Sequence, residues 1–264
     1  MKKVLFVNHD VTPYVEETEL AMMGKMAPKK IQEAKCEIRT FMPRWGNINE
    51  RRGQLHEVIR LSGQNIPVND NDHPIIIKVA TIQGTKVQVY FIDNEELFSR
   101  KAQTVDKDGK PFEDNGERAA FYARAVIETL KKLRWVPDVI HCQGWMTALI
   151  PLYLKKIYKD DPDVCTAKVV TSIFKDNQDG MLQKDMKDCI VCEGVTKDDL
   201  TAYNDEISYD DLIKIAADYS DGIIATSAQA NTIAAELAKD NGVKVLEYPG
   251  EDFAEAYKEF YDTL

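Results

Sequence analysis

Apolar positions in this chain follow two rhythms. Short unbroken runs such as Val4–Val7 read as strands buried on both faces, and stretches of helix formers such as Thr18–Ala34, with Pro28 inside it, follow them. Cys36–Met42 reads as a second strand. Between about Leu55 and Ile92 the period shortens to two, and Ile75–Val79 and Lys86–Ile92 flank Gln83-Gly84-Thr85, a hairpin signal. Ser99–Gly116 is polar with Asp108-Gly109 and Asn115-Gly116 pairs, which predicts a mobile loop. A helix is expected over Glu117–Leu133, placing Phe121, Ala125, Ile127 and Leu130 near one face. Pro137–Lys155 then gives a buried strand ending near Ile140, a small polar turn, and an amphipathic helix.

Met181–Glu206 reads as irregular, acidic and cysteine-containing. Ser208 with Asp211 three residues on has the form of a capping box and opens a helix over Asp210–Asp218. Asp221–Thr226, a helix over Ala228–Lys239, Val243–Leu246 and a terminal helix from about Glu251 complete the set. Strands taking turns with helices predict an α/β, Rossmann-like domain with a mostly parallel sheet, helices on both faces and a β-hairpin insertion. The 264 residues suffice for one such domain with its own core, and no repeat or interdomain linker interrupts them.

Charge and composition narrow the partners. The net charge of −10 argues against nucleic acid or an anionic membrane, since both need a positive surface. No apolar run approaches the ~18 to 20 residues of a membrane helix, and the short apolar run after Met1-Lys2-Lys3 lacks the form of a signal peptide, so a cytoplasmic location is expected. Five cysteines give no disulfide framework; Cys189 and Cys192 form a lone CxxC without a second pair at zinc spacing and read as free thiols. No GxGxxG follows the first strand, and the acidic clusters Asp160–Asp163 and Asp198-Asp199 lack calcium-loop spacing. Neither a metal nor a cofactor is expected.

Ligands of open α/β sheets bind outside the carboxyl ends of the strands, so candidate site residues lie there. Asn8, His9 and Asp10 follow the first strand, and His141, Cys142, Gln143, Gly144 and Trp145 close a later one. Each has a plain alternative. Trp145 serves either as packing at the top of the sheet or as a stacking platform for a sugar. His141 is either a satisfied core histidine or a base. Glu16, Glu17 and Glu19 suit the first turn of a helix as well as a cleft.

Several segments in order carry a family resemblance. KVLFVNHDVTPY (Lys3–Tyr14), EIRTFMPRWG (Glu37–Gly46), PDVIHCQGWMTALIPLYLK (Pro137–Lys155) and ADYSDGIIATS (Ala217–Ser227) resemble the N-terminal lobe of bacterial glycogen and plant starch synthases. Glu117–Leu130 is similar to the helix before that family's central motif, and Lys168–Lys175 to the strand after it. The resemblance covers roughly residues 1–230. It implies a single lobe of a two-Rossmann-lobe glycosyltransferase, with the C-terminal nucleotide-sugar lobe absent. The implied activity is transfer of glucose from ADP-glucose to an α-1,4-glucan. The implied partners are an α-glucan or maltooligosaccharide and a separate nucleotide-sugar-binding lobe.

The resemblance also implies losses. The lysine of the family's Lys-Thr-Gly-Gly motif falls on Glu16, with Glu17, Thr18 and Glu19 over the rest. Its His-Asp-Trp-His cluster becomes Gln143-Gly144-Trp145-Met146. The histidine and asparagine of its Thr-Ile-His-Asn strand end fall on Phe174 and Lys175. Leaving-group diphosphate needs fixed positive charge, and a carboxylate where an ammonium belongs has the wrong sign. The candidate ligand cleft is therefore Asn8, Tyr14, Glu16, Thr18, His141, Gln143, Trp145, Phe174 and Lys175, with no catalytic residue assigned. An α-glucan synthase-like protein impaired or inactive alone is expected; the alternative is a non-catalytic regulator or scaffold on the same fold.

Overall fold

The computed structural model describes all 264 residues, Met1–Leu264. The first apolar run becomes β1 (Lys3–Asn8), followed by α1 (Glu19–Glu33) and β2 (Glu37–Pro43), one βαβ unit. Next come a short helix α2 (Glu50–Gly53) and the strands β3 (His56–Glu57), β4 (Asn65–Val68), β5 (Asn71–Pro74), β6 (Ile76–Thr81) and β7 (Gln88–Asp93). After α3 (Glu95–Phe98) and the long α4 (Asn115–Leu133) come β8 (Val139–Gln143), α5 (Leu149–Lys156) and β9 (Lys168–Ile173). The chain ends with α6 (Met186–Ile190), α7 (Tyr209–Asp218), β10 (Gly222–Ala225), α8 (Ala230–Asn241), β11 (Lys244–Leu246) and α9 (Ala254–Asp262).

Nine strands form one sheet in the order β11-β10-β9-β8-β1-β2-β7-β6-β3. Pairings from β11 through β7 are parallel, while β6 returns antiparallel on β7 and β3 on β6. The expected hairpin is thus the β6–β7 turn. A second, two-stranded sheet of β4 and β5, not separately foreseen, packs on α4. Strands inside a parallel sheet are covered on both faces, which is why β1 and β8 are buried without alternation. Helices α4, α5 and α7 pack side by side on one face, and α1 and α9 meet on the other. One continuous core joins all the layers.

Local chemistry sets the element ends near the sheet's carboxyl edge. Thr18 caps α1 by accepting the amide of Ala21 at 3.1 Å, and Glu19 occupies the first turn. Gly24 lets this helix lie against the loop after β1; a Cβ there would sit 2.1 Å from the Asp10 carbonyl oxygen. The capping box at Ser208 is formed as read, with Asp211 answering the Ser208 amide at 2.9 Å, and it opens α7. On the far face, α9 buries Tyr257 and Tyr261.

Two loop readings need correction. Asn115-Gly116 is not a turn but the first residues of α4. The segment before it is held in place: Val105 bridges Pro111, the Asp106 amide donates to Lys110 at 2.8 Å, and the Asn115 side-chain amide donates to the Thr104 carbonyl at 2.8 Å. Polar loops are ordered when their own backbone groups find partners, which composition does not reveal. Met181–Glu206 is likewise less irregular than its sequence, since α6 and a short 3₁₀ turn at Lys197–Leu200 lie inside it. Cys189 is buried there and Cys192 half-buried, and both are free thiols. Burial pushes Cys189 up to about 12 and raises Cys192 too, so neither is an activated thiol.

Candidate functional site

The order of the sheet locates the site. From β1 the chain steps through α1 to β2 on one side, whereas its other neighbour, β8, arrives much later, so a crevice opens at the carboxyl ends of β1 and β8. A cavity of about 420 Å³ lies there. His9 and Asp10 just past β1, Gly144 and Trp145 just past β8, and Phe174 just past β9 form its floor. Glu16 and Thr18, before α1, and the Ala102–Val105 stretch form walls, and Asp176–Gln178 adds amides and a further carboxylate.

Asp10 is the best-held polar group of this floor. Its Oδ1 accepts the Trp45 indole N–H at 2.8 Å and the Gln103 side-chain amide at 2.6 Å. Gln103 is in turn fixed from behind, because Arg118 Nη1 donates to its backbone carbonyl at 2.7 Å. Arg118 is fully buried and has no carboxylate in ion-pair range; the rings of Trp45 and Phe98 face its guanidinium at 5.0 and 5.3 Å. Burial lowers its pKa to about 10, which leaves it cationic at neutral pH. His9 lies between Trp45 and Trp145, with ring centroids at 5.5 and 5.1 Å, and its Nδ1 has no partner. Burial lowers the His9 pKa; Asp10 pulls the other way and Arg118 adds to the lowering, so the imidazole is neutral.

The predicted residues divide sharply. Glu16, Thr18, Trp145 and Phe174 come together on this cleft. Thr18 does so while spending its hydroxyl on the α1 cap. Trp145 is only 3 % exposed, with its ring set edge-on between His9 and Tyr209, so it packs at the top of the sheet and presents no open face for stacking. Tyr14 lies instead in an adjoining cavity of about 210 Å³ that shares Asn47 with the first, and its ring meets Phe91 edge-on at 4.8 Å.

Asn8, His141 and Gln143 do not reach the cleft. All three are strand residues with no exposure and none lines the cavity; the side-chain amides of Asn8 and Gln143 are buried without a hydrogen-bond partner. His141 is a satisfied core histidine: Nδ1 meets the Tyr261 hydroxyl at 2.7 Å and Nε2 the Ser172 hydroxyl at 2.8 Å. Burial drops its pKa to about 3. Lys175 is also outside, pairing at the surface with Asp176 at 3.6 Å. Of the three residues read at the end of the first strand, His9 and Asp10, one and two residues beyond β1, line the cavity, and Asn8 does not. Gln103 gave no sequence signal, because it arrives from a loop nearly a hundred residues away.

Charge decides what this cavity can do. None of its sixteen lining residues is lysine or arginine, while Asp10, Glu16 and Asp176 are acidic. A phosphate at ~4 Å from such a carboxylate is repelled by about 1 kcal/mol in bulk water and about 4 kcal/mol at an effective dielectric near 20. The remaining lining is rich in amide and hydroxyl groups, including Asn47, Thr104, Asn177 and Gln178, which hydrogen-bond neutral polar ligands. No group of histidine, cysteine and carboxylate side chains is assembled to hold a metal ion.

Comparison with known proteins places this geometry in context. Residues 3–247 match the family described as the starch synthase catalytic domain, somewhat beyond the stretch that the sequence motifs covered. The chain is 33 % identical over 233 residues to the glycogen synthase of Chlorobium phaeobacteroides, covering 88 % of this chain and 47 % of that protein. With the glycogen synthase of Chlorobium luteolum it shares 36 % over 181 residues, 68 % of this chain and 37 % of that one. It therefore spans less than half the length of these relatives. The catalytic domain of starch synthase IV from Arabidopsis thaliana, solved with ADP and acarbose, superposes with a TM-score of 0.70 at 17 % identity, over 99 % of this chain and 50 % of that one, and it shares the fold.

Proposed function

Because the chain belongs to the starch synthase catalytic domain family, we propose that its cleft holds the end of an α-glucan chain and does not transfer glucose by itself. The positive charge that a nucleotide-sugar diphosphate requires comes, on this reading, from a separate nucleotide-sugar lobe that closes over the same crevice. The protein then acts in cytoplasmic α-glucan synthesis as the acceptor half of a transfer from ADP-glucose. The observation that carries this reading is the cavity lining: no cation, three carboxylates, and a surplus of amide and hydroxyl groups. Such a lining suits a neutral polyol. No helix is long and apolar enough to cross a membrane, and the net charge of −10 disfavours nucleic acid.

Calorimetric titration with maltoheptaose tests the proposal. The expected result is 1:1 binding with a dissociation constant of about 1 mM or tighter, equivalent to at least about 4 kcal/mol. Trp145 lies in the cleft floor, so indole fluorescence should report the same saturation. Absence of binding, together with recovery of a stable protein complex on pull-down, would favour a non-catalytic regulator that keeps the fold.

A further inference from the structure

Three features of the cleft floor belong together. The Asp10 carboxylate is held by two donors on Oδ1, from Trp45 and Gln103, which leaves its other oxygen unclaimed. The neighbouring His9 is 5 % exposed, lines the same cavity, and carries a buried Nδ1 without a partner. A buried polar atom left unpaired is costly, and pairing it is what a ligand can do. Arg118, locked behind Gln103, fixes the lever that aims Asp10 and does not itself line the cavity.

We propose that Asp10 is the anchoring and specificity-determining group of this cleft, positioned by Trp45 and Gln103, and that with His9 it selects sugars presenting hydrogen-bond donors. A neutral hydroxyl donates to the free carboxylate oxygen. A protonated amine in its place donates and adds opposite charge, making a charge-assisted bond. A phosphate offers oxygens to a carboxylate and is refused. The order of preference is therefore amino sugar, then neutral sugar, then sugar phosphate. This inference rests on the reading that the cleft holds carbohydrate; it adds which residue grips the ligand and which charge class is favoured.

Ligand-observed NMR titration with glucosamine, glucose and glucose 6-phosphate tests it on the whole chain. Glucosamine should bind about fivefold or more tightly than glucose, as a partly screened ion pair allows, and glucose 6-phosphate more weakly than either. Raising the pH until the amine is neutral should erase the first difference, a response that a merely structural role for Asp10 would not produce. Asp10→Asn keeps an acceptor for Trp45 and Gln103 and should bring glucosamine to within about twofold of glucose. Gln103→Ala should narrow the same preference while leaving the tertiary near-UV signature intact. A preference that survives Asp10→Asn, or three sugars bound equally, overturns the Asp10 assignment while the carbohydrate reading stands. Binding of none of these sugars, nor of maltoheptaose, overturns both.

Discussion

Purified chain given ADP-glucose and glycogen releases ADP no faster than the buffer blank, at least about 10⁴-fold below a two-lobe glycogen synthase assayed alongside. The size follows from the site. Removing a single preorganised donor that stabilises developing charge costs about 10² to 10³ in rate, and no lysine or arginine lines the cavity of this chain, Lys175 standing outside it against the Asp176 carboxylate. Glu16 stands where the resemblance places a lysine, so the local field opposes the leaving group as well as failing to help it. Arg118 does not rescue the charge balance, because its guanidinium is fully buried behind Gln103. A complementing nucleotide-sugar lobe should raise the rate when added. A coupled ADP-release assay reads both arms, and steady turnover by the chain alone would remove the case for an outside source of positive charge.

Gly144→Asp, at the position where the resemblance places an aspartate, destabilises the protein by about 3 kcal/mol or more. At φ 88° and ψ 157° Gly144 occupies a backbone region that is essentially glycine-only, costing another residue about 1 to 3 kcal/mol. The added Cβ would also sit 2.7 Å from the His9 Cβ and 3.1 Å from Leu20 Cδ2, and such overpacking costs a further ~1 to 3 kcal/mol. Thermal unfolding should show a fall of roughly 6 °C or more, at ~2 to 4 °C per kcal/mol for a chain near this size. A glycine at this turn is therefore required by the backbone and by the contact between the ends of β1 and β8. A variant as stable as the parent would mean that the turn re-forms around a side chain, and that the site could accept an aspartate by one substitution.

Most of the fold was legible in the sequence because its signals are local or periodic. Val4–Val7 could only be a doubly covered strand, and Ser208 with Asp211 fixed the start of α7. The site was legible in outline only. Motif positions led to strand ends that border one cavity, where Glu16, Trp145 and Phe174 converge. Asn8 and Gln143 are the last residues of β1 and β8 and His141 lies two residues further inside β8, whereas the cavity is lined from the residue after each strand end, and hydropathy does not resolve a strand end to a single residue. Trp145 left two uses open that only its packing against His9 and Tyr209 could separate. Gln103 and Arg118 were beyond reach, since their roles come from long-range contacts within a segment whose composition resembled any polar loop.

The most direct measurement is a calorimetric titration of the isolated chain with ADP and with inorganic pyrophosphate, at low and at physiological salt. The expected result is no saturable heat with either anion, under conditions where maltoheptaose binds. Tight, salt-sensitive binding of ADP or pyrophosphate that competes with maltoheptaose would contradict it, because the cavity would then hold positive charge that its lining lacks.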